Sequence, residues 1–313
     1  RKVPFCFLKN YYFYTFTKIQ LFSEMKQIEE SELIVNADGS IFHLHLLPEQ
    51  LADDVILVGD PGRVALVSKH FDNIECKVQN REFITHTGTY KGKRISVLAT
   101  GIGTDNIDIV MNELDALANI DLKRRVPKDE HRTLNLLRIG TSGGLQEDIE
   151  IGTFLLTETA VGFDGLLNFY RHRDEVCNLD MEEKFVLHTS WNPRLANPYF
   201  VDGSDFFLKK FGKEFRRGIT ISAPGFYGPQ GRELRLEIQD RQINDKIRSF
   251  RYDGRYITNY EMESSAIFGL SKLLGHNAGT VCLIIANRYA KHFAKDAAPL
   301  MEDMIEKTLE TIA

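Results

Sequence analysis

Residues 55–63 read VILVGDPGR, and this stretch decides the fold class. Four consecutive apolar residues predict a buried strand, and the run stops at a turn built from glycine and proline. Two later strands end in similar segments: residues 93–99 are followed by TGIGT, and residues 134–139 are followed by GTSGG. In open α/β sheets, ligands lie beyond the carboxyl ends of the strands. We therefore expect the three glycine-rich turns to line one site.

Helical periodicity alternates with these strands, as an α/β domain requires. Apolar residues recur on one helical face within residues 107–118, 266–274 and 300–312, and we interpret these stripes as core. Residues 121–133 read DLKRRVPKDEHRT, a charge run that predicts a solvated loop. Because no linker, repeat or low-complexity tract follows residue 25, the sequence predicts one domain.

Composition limits the classes of function. The chain has 313 residues, 43% hydrophobic and 27% charged, which is ordinary for a globular protein. A net charge of −5 provides no basic field for nucleic acid or acidic membranes. The four cysteines at positions 6, 76, 177 and 282 have no close spacing, so neither a metal knuckle nor a disulfide framework is indicated. A reducing cytoplasm fits this usage.

The first twenty-four residues differ from the rest because they are basic and crowded with aromatic side chains. Lys9, Asn10 and Lys18 interrupt the apolar stretch that a secretory signal needs. Our hypothesis is that Met25 is the native start, which makes residues 1–24 an extension outside the native fold and residues 25–313 the domain. A packing arm and a peripheral membrane tether are the alternatives.

Arginines accompany the glycine turns. Arg63 follows GDPG, Arg138 precedes IGTSGG, and Arg81 lies in QNREF. Guanidinium groups and backbone N–H groups form a cradle for an oxyanion such as phosphate, and Thr141 adds a hydroxyl. The alternative is three unrelated surface arginines.

The glycine turns do not form a dinucleotide fingerprint. Gly101-Ile102-Gly103 is followed by TDN, so the third glycine of the Rossmann motif is missing. The sequence also lacks a G-x-x-x-x-G-K-[ST] motif. An NAD-dependent enzyme and a Walker-type nucleotide site are therefore poor interpretations.

A pair of carboxylates lies where the extended run ITNY meets an amphipathic helix, in the sequence Glu261-Met262-Glu263. Neighbouring hydroxyls of a ribose can both donate to one carboxylate, and a thioether can lie against the sugar ring. The alternative is that the two acids place negative charge in the first turn of the helix.

The segment GFYGPQGRELRL, at residues 225–236, connects a strand to a polar stretch that we predict to be helical. Gln230 offers one acceptor and two donors, and Arg232 offers only donors. Together they complement an imide edge with the order C=O, N–H, C=O, which uracil has and purines lack. Phe226 could stack on the base. The alternative is a loop glutamine and a solvated arginine.

Together these motifs resemble a known family. GDPGR, NREF, ATGIG, RIGTSGG, FYGPQGR, NYEMES and IIANR occur in the order and approximate spacing of the nucleoside phosphorylase-I superfamily, and they are most similar to its uridine phosphorylases. The resemblance runs from about Ile41 to the carboxyl terminus. It implies a single-domain, three-layer α/β/α fold with a mixed central β-sheet. The implied activity is phosphorolysis of uridine and related pyrimidine nucleosides to uracil and ribose 1-phosphate, in nucleoside salvage or catabolism.

The resemblance also implies residue roles. The phosphate would be bound by Gly59, Arg63, Arg138 and Thr141, with Arg81 reaching across from a neighbouring subunit. The ribose would be held by Glu263 through its 2′- and 3′-hydroxyls, by Met262, by the nearby Glu261, and by His43 of the IFHL segment, which would contact the 5′-hydroxyl across the same interface. The uracil would be held by Phe226, Gln230 and Arg232, with Arg288 steadying Arg232 or a water.

Shared sites imply at least a homodimer, and a hexamer is the larger alternative. The resemblance implies no metal and no organic cofactor, since inorganic phosphate is a co-substrate. Some relatives bind a monovalent cation beside the residue matching Arg81. Glu82 is present for this role, but Asn106 replaces a serine, which argues against the cation.

Alternatives to uridine phosphorolysis remain. Purine-specific relatives usually have an aspartate after the late strand, whereas residues 286–288 read ANR, which favours pyrimidine. Within the superfamily the alternatives are a purine nucleoside phosphorylase and a nucleosidase that uses water. In another class, the alternative is a nucleoside-binding protein without turnover.

Overall fold

The computed structural model describes residues 27–313, so the hypothesis about residues 1–24 lies outside the described residues. The strands are β1 Asp54–Val58, β2 Asn73–Asn80, β3 Phe83–Tyr90, β4 Lys93–Ala99, β5 Ile120–Asp121, β6 Val126–Pro127, β7 Asn135–Gly144, β8 Phe154–Gly162, β9 Tyr199–Asp202, β10 Arg216–Ser222, β11 Arg251–Tyr252, β12 Arg255–Glu261, β13 Asn277–Asn287 and β14 His292–Phe293. The helices are α1 Pro61–Ser68, α2 Thr104–Asn119, α3 Arg173–Val176, α4 Leu179–Thr189, α5 Asp205–Lys210, α6 Ile243–Ser249, α7 Ser264–Leu274 and α8 Ala298–Ile312. Short 3₁₀ turns lie at Pro48–Gln50, Leu166–Phe169 and Gly228–Gln230.

The central sheet is mixed, as the family resemblance implied. Its strand order is β11-β12-β10-β8-β13-β7-β1-β4-β3-β2, with β9 beside β8 and β14 beside β13. Strands β4, β1, β7 and β13 run parallel, whereas β8 pairs antiparallel with β13, and β2, β3 and β4 are joined as hairpins. Strand β12 also pairs with β7, so β7, β13, β8, β10 and β12 form a closed ring.

Helices cover both faces of this sheet, and the side chains of β1 explain why its sequence is apolar throughout. Val55 and Leu57 pack into the core formed with α2 and α7, whereas Ile56 and Val58 pack into the core formed with α1, α5 and α8. Successive side chains of a strand point to opposite faces, so a strand covered on both sides needs an unbroken apolar run. The predicted α/β/α arrangement is confirmed.

The three predicted helical stripes are core, as expected. Side chains such as Leu114 of α2, Ile267 of α7 and Met304 of α8 have no solvent exposure. Helices α2 and α7 pack against each other on one face of the sheet. Their amino-terminal ends follow Gly103 and Glu263, so both helices begin at the carboxyl-end edge of the strands, where the site was predicted.

Two of the three glycine segments are turns from a strand into a helix. In GDPG, the Asp60 carboxylate accepts a hydrogen bond from the Gly62 amide at 2.9 Å and caps α1, whose first residue is Pro61. In TGIG, Gly101 and Gly103 have φ angles of +74° and +100°, which favour glycine.

The third segment is not a turn, and this prediction was wrong. Strand β7 continues through GTSGG to Gly144, paired with β13 and then also with β12. The glycines of this segment leave space for neighbouring side chains. A side chain on Gly140 would overlap the guanidinium of Arg138, and one on Gly144 would come within 2.8 Å of Ile149.

The charge run at residues 121–133 is more ordered than a solvated loop. Its first half closes the small β5–β6 ladder, in which Asp121 pairs with Val126, and Lys128 donates to the carbonyl oxygen of Ala118 at 2.8 Å, at the carboxyl end of α2. Arg132 forms an ion pair with Asp53. Lys123, Arg124 and Glu130 are exposed as predicted, whereas Lys128 and Arg132 attach the loop to the rest of the fold.

The polar helix predicted after GPQGR was also wrong. Residues 231–242 are irregular, and α6 begins only at Ile243. Gly231 has a φ angle of +69° and ends the preceding 3₁₀ turn, and Glu233 accepts hydrogen bonds from Arg241 instead of supporting a helical turn. No helix within residues 27–313 is long and apolar enough to cross a membrane.

Candidate functional site

Two arginines meet where β1 ends, beside the middle of β7. Arg63 lies in the first turn of α1, and its Nη1 donates to the carbonyl oxygen of Ile139 at 3.2 Å. Arg138 precedes Ile139 on β7, the strand that pairs with β1. Burial and the neighbouring charge of Arg138 lower the pKa of Arg63. Two cations held together away from bulk water favour an anion between them.

The other residues predicted to bind phosphate lie on the same elements. Gly59 directly follows β1, and a side chain there would come within 3.4 Å of the carbonyl oxygen of Gly101, so the first two glycine turns are adjacent. Thr141 is half-buried on β7, and its hydroxyl has no side-chain hydrogen bond within residues 27–313. The prediction that the glycine segments meet at one edge of the sheet is confirmed for these two turns.

A buried ion-pair cluster joins Arg138 to both acids of the EME segment. Nη2 of Arg138 donates to Glu263, and Nη1 lies 3.4 Å from Oε2 of Glu261. Burial alone would lower the pKa of Arg138, but the two carboxylates, Glu263 foremost, outweigh it and raise that pKa. Burial raises the pKa of Glu263, and Arg138 offsets part of this effect. Each charge is therefore held in place by the other.

The two carboxylates differ in what else they bind. Glu261 accepts from the backbone amides of Glu263 and Ser264, each at 3.0 Å, and from the hydroxyl of Ser222 at 2.5 Å, so it caps the amino terminus of α7. Glu263 accepts from the amide of Gly103 at 2.8 Å, at the start of α2. Met262 lies half-buried between them. Glu261 has little capacity left for a ligand, whereas Glu263 lies between the starts of α2 and α7.

The residues predicted to bind the base form a second group. Arg232 donates to Oε1 of Gln230 at 2.5 Å and to the carbonyl oxygen of Phe226 at 2.6 Å, and its guanidinium lies 3.8 Å from the centre of the Phe226 ring. Gln230 is buried, with 3% exposure, and Phe226 is half exposed. Burial, together with the charge of Arg288, lowers the pKa of Arg232 to about 10.

Arg288 lies beside this group at the end of β13. Its amide donates to the carbonyl oxygen of Gly144 at 2.7 Å, and its side chain passes over Gly143, where a Cβ would come within 3.1 Å. The guanidinium lies 5.5 Å from the ring of Tyr260, and the buried Nη1 has no hydrogen-bond partner within residues 27–313. Tyr260, on β12 beside Glu261, thus connects the base group to the acids.

His43 and Arg81 form a third group. The guanidinium of Arg81 lies 5.6 Å from the centre of the Phe42 ring, and Asn80 donates to the carbonyl oxygen of His43 at 2.8 Å. Arg81 is exposed, and no hydrogen bond within the described residues joins it or His43 to Arg138. The sharing of these two residues between subunits stays a prediction.

Sequence reasoning missed three groups that contact the predicted site residues: the Gly103 amide contacts Glu263, Tyr260 contacts Arg288, and Glu113 contacts His43. The Gly103 amide was missed because a backbone donor leaves no mark on residue type. Tyr260 belongs to the quoted NYEMES motif, and strand alternation alone did not indicate what it contacts. Glu113 on α2 was missed although it adjoins the apolar stripe beside Leu114, where an acid is uncommon unless it has a partner.

One group of side chains within residues 27–313 has the composition of a metal site: Asp115, His131 and His276. The amide of Leu134 donates to Nδ1 of His276 at 3.2 Å, so the proton of the neutral ring is on Nε2, which lies 3.2 Å from the Asp115 carboxylate. A ligating nitrogen needs a free lone pair. We interpret the group as an electrostatic contact between α2 and the start of β13, in which His276 is buried, His131 is exposed, and Nε2 of His276 makes no hydrogen bond within residues 27–313.

A second such group, His70, Glu302 and Glu306, lies at the surface, where Glu302 is already paired with His70 and Lys69 at 2.7 Å each. The prediction that Asn106 disfavours a cation beside Glu82 stays a prediction.

Comparison with known proteins agrees with the resemblance seen in the motifs. The family model of the phosphorylase superfamily matches residues 53–312. A uridine phosphorylase of Thermococcus kodakarensis is 30% identical over 261 residues, covering 82% of this chain and 81% of that protein. A DeoD-type purine nucleoside phosphorylase of Clostridium perfringens is 36% identical over 244 residues, covering 77% and 85%. A Trypanosoma brucei nucleoside phosphorylase, described as showing uridine phosphorylase activity, superposes with a TM-score of 0.80 at 29% identity, covering 89% of this chain and 98% of that one.

The close approach of Arg138 to Gly140 allows a test of the predicted phosphate site. We expect Gly140→Ala to displace the Arg138 guanidinium and to weaken binding of inorganic phosphate by roughly 10- to 100-fold, the loss of one charge-assisted hydrogen bond. Titration calorimetry with phosphate measures this. Gly254→Ala is the control for general destabilisation: Gly254 has a φ angle of +75°, so alanine strains the backbone, but the added side chain meets nothing within 4 Å and the turn lies outside the predicted phosphate site. Wild-type affinity in Gly140→Ala would contradict the site.

Proposed function

Since the chain belongs to the phosphorylase superfamily, we propose that it cleaves uridine with inorganic phosphate to give uracil and ribose 1-phosphate. We choose uracil as the base because Arg232 donates a hydrogen bond to Oε1 of Gln230. Relatives named uridine phosphorylase support the same choice. The site needs no organic cofactor in this reaction, because phosphate itself is the nucleophile. The cysteine usage favours a cytoplasmic location.

We assign the phosphate to the place where β1 ends, beside the middle of β7. Arg63, Arg138 and the Thr141 hydroxyl would bind its oxygens, and the backbone of Gly59 would approach it closely. Nε of Arg138 supports this assignment, since it is buried without a hydrogen-bond partner within residues 27–313. An unsatisfied buried donor is costly, and a bound oxyanion would remove that cost.

We assign the ribose to Glu263 and Met262. Glu263 is buried and charge-paired, so its carboxylate is available as a preorganised acceptor for the 2′- and 3′-hydroxyls. Glu261 caps α7 and accepts a hydrogen bond from the backbone amide of Glu263, which fixes the position of that residue. Arg138 contacts both acids and would also bind the phosphate. The nucleophile and the sugar would thus be bound by groups that touch each other, which favours an in-line geometry.

The base assignment follows from counting lone pairs. Oε1 of Gln230 has two, and Arg232 takes one of them, so one remains for the imide N–H of uracil. The amide nitrogen of Gln230 and a further N–H of Arg232 then serve the two flanking carbonyl oxygens. The contact with Arg232 also fixes which way the Gln230 amide points.

Purine nucleoside phosphorolysis is the second candidate, favoured by the 36% identity to the Clostridium perfringens enzyme. The segment after the late strand argues against it. Asn287 takes the place of an acid there, and its amide donates to the carbonyl oxygens of Gln146 and Ile149 at 3.1 and 2.9 Å. Its side-chain oxygen accepts from the amide of Ala290. The NH₂ group is thus occupied in holding the backbone, and an amide has no acidic proton to give to a purine ring.

The charges of the site residues complement the charges that develop on the substrates during the reaction. As phosphate approaches the anomeric carbon and the bond to N1 of uracil lengthens, positive charge develops on the sugar and negative charge on the base. Arg232 and Arg288 lie close enough for their charges to interact, and both would stabilise the leaving base. Arg63 and Arg138 hold the nucleophile. Catalysis then comes from position and electrostatics, without a protein nucleophile.

Product analysis tests the proposal directly. The chain is incubated with uridine or inosine, each with and without phosphate, and the released base and sugar phosphate are identified. Uracil and ribose 1-phosphate from uridine only when phosphate is present is the expected result. Hypoxanthine from inosine would move the assignment to purines, base release without phosphate would indicate a nucleosidase, and no cleavage would favour a nucleoside-binding protein.

Arg232→Ala should lower kcat/KM for uridine by at least about a hundredfold, because one preorganised donor to the leaving base is lost. The melting temperature should change little, since the side chain is partly exposed and makes only local contacts. Arg194→Ala, at an exposed position, is the control. Near-normal uridine cleavage by Arg232→Ala would remove this residue from the base site.

Subunit sharing has its own test. Arg81 and His43 are proposed to serve a partner's site, so the functional unit would be at least a dimer. Mixing the inactive variants Arg81→Ala and Gln230→Ala should restore part of the activity, because hybrid dimers contain one site with both residues intact. If subunit exchange is verified by mass spectrometry and no activity returns, the sites are self-contained.

A further inference from the structure

The carboxylate of Glu113, on α2, anchors the segment that carries His43. It accepts four hydrogen bonds from two consecutive residues: both of its oxygens lie 3.0 Å from the amide nitrogen of His43, Oε2 lies 2.8 Å from the amide nitrogen of Leu44, and Oε1 lies 2.6 Å from Nδ1 of His43. The side chain of Glu113 is 13% exposed. A single acid thus holds both the backbone and the ring of His43.

This contact fixes the chemistry of the imidazole. A carboxylate can only accept, so the proton of the neutral ring is on Nδ1 and Nε2 keeps a free lone pair. Nε2 of His43 has no hydrogen-bond partner within residues 27–313. The ring is a quarter exposed and lies edge-on to Phe42, 4.8 Å between ring centres. The residue therefore presents an acceptor at the surface of the chain.

Packing does not fix the ring without Glu113. A cavity of about 240 Å³ adjoins it, lined by Phe42, His43, Asn112 and Glu113 among others. A ring beside open space can turn or change tautomer once its hydrogen bond is lost. The backbone of the segment is held differently, because Ile41, Leu44 and Leu46 are buried in the core.

We propose that Glu113 is a positioning residue for nucleoside binding, which fixes the tautomer and direction of His43 so that Nε2 accepts the hydrogen of the ribose 5′-hydroxyl. The inference rests on the proposed function, in which His43 contacts that hydroxyl. Glu113 touches no substrate atom and acts only through His43. The same arrangement serves a pyrimidine or a purine nucleoside, since the 5′-hydroxyl is common to both.

The variant Glu113→Gln separates these roles. Glutamine has nearly the same shape but only one accepting oxygen, so its NH₂ group would face an N–H donor of His43 or Leu44. The two backbone amides can only donate, whereas the imidazole can move its proton to Nε2, so the glutamine oxygen would serve the amides and its NH₂ group would face Nδ1. The imidazole then loses the acceptor that holds its proton on Nδ1, while the buried apolar residues keep the segment on the fold. Asn112→Ala is the matched control: Asn112 lies next in sequence on α2 and lines the same cavity, but it contacts Asp108 and Tyr170 instead of His43.

The measurement compares uridine with 5′-deoxyuridine, which lacks only the hydroxyl in question. We expect the full chain to prefer uridine by roughly tenfold in kcat/KM, the effect of one hydrogen bond. Glu113→Gln and His43→Ala should both reduce this preference to about twofold or less, chiefly through KM for uridine, and the double variant should match His43→Ala. Asn112→Ala should keep the full preference. Because both substrates are measured in one preparation, the ratio does not depend on how much of a variant is folded.

The outcomes are distinguishable. A chain that cleaves neither nucleoside of the pair, nor inosine, would overturn the proposed function and this inference with it. A chain that prefers uridine while Glu113→Gln keeps the tenfold preference would overturn the positioning role alone. An equal loss of kcat/KM with both substrates in Glu113→Gln would show a structural role and would also overturn it. Loss of the preference in Glu113→Gln, with Asn112→Ala unchanged, supports it.

Discussion

The buried ion pair between Arg138 and Glu263 is the interaction on which the site depends. It joins the middle of β7 to the start of α7, and through the amide of Gly103 it also reaches the start of α2. Neither charge would be tolerated alone at this depth, because an unpaired buried ion costs several kcal/mol. Removing either partner would leave the other uncompensated, so the pair constrains both residues. Three elements that are distant in sequence thereby converge on one point.

Space around this pair is provided by glycine. Gly140 leaves room for the guanidinium of Arg138, and Gly143 does the same for Arg288. Two long cationic side chains lie across a strand that would otherwise present side chains of its own. The strand remains hydrogen-bonded to β13 along its length, so the positions of the arginines are set by a rigid element. The same strand therefore connects the proposed phosphate and base groups.

Local sequence patterns were sufficient where one periodic signal dominated. The apolar run at residues 55–58 and the helical stripes of α2, α7 and α8 were correct, because burial on both faces or on one face determines such patterns directly. The GTSGG segment was misread as a turn, because glycine in a strand resembles glycine in a turn until the arginine above it is seen. The residues after Gly231 were misread as helical, because their composition is polar and their contacts, such as Glu233 with Arg241, are not periodic.

By itself, the sequence determined the α/β class, the family and the chemistry available: arginines for an anion, acids for a sugar, and a glutamine with an arginine for a base. These follow from residue type and from spacing along the chain. Only the tertiary structure decided which partners each of these side chains contacts. Glu261 caps α7, whereas Glu263 pairs with Arg138 and the amide of Gly103, and Glu113 holds His43, 70 residues apart in sequence. Such roles depend on which hydrogen-bond donors a carboxylate meets, and those donors are brought near only when distant strands and helices pack together.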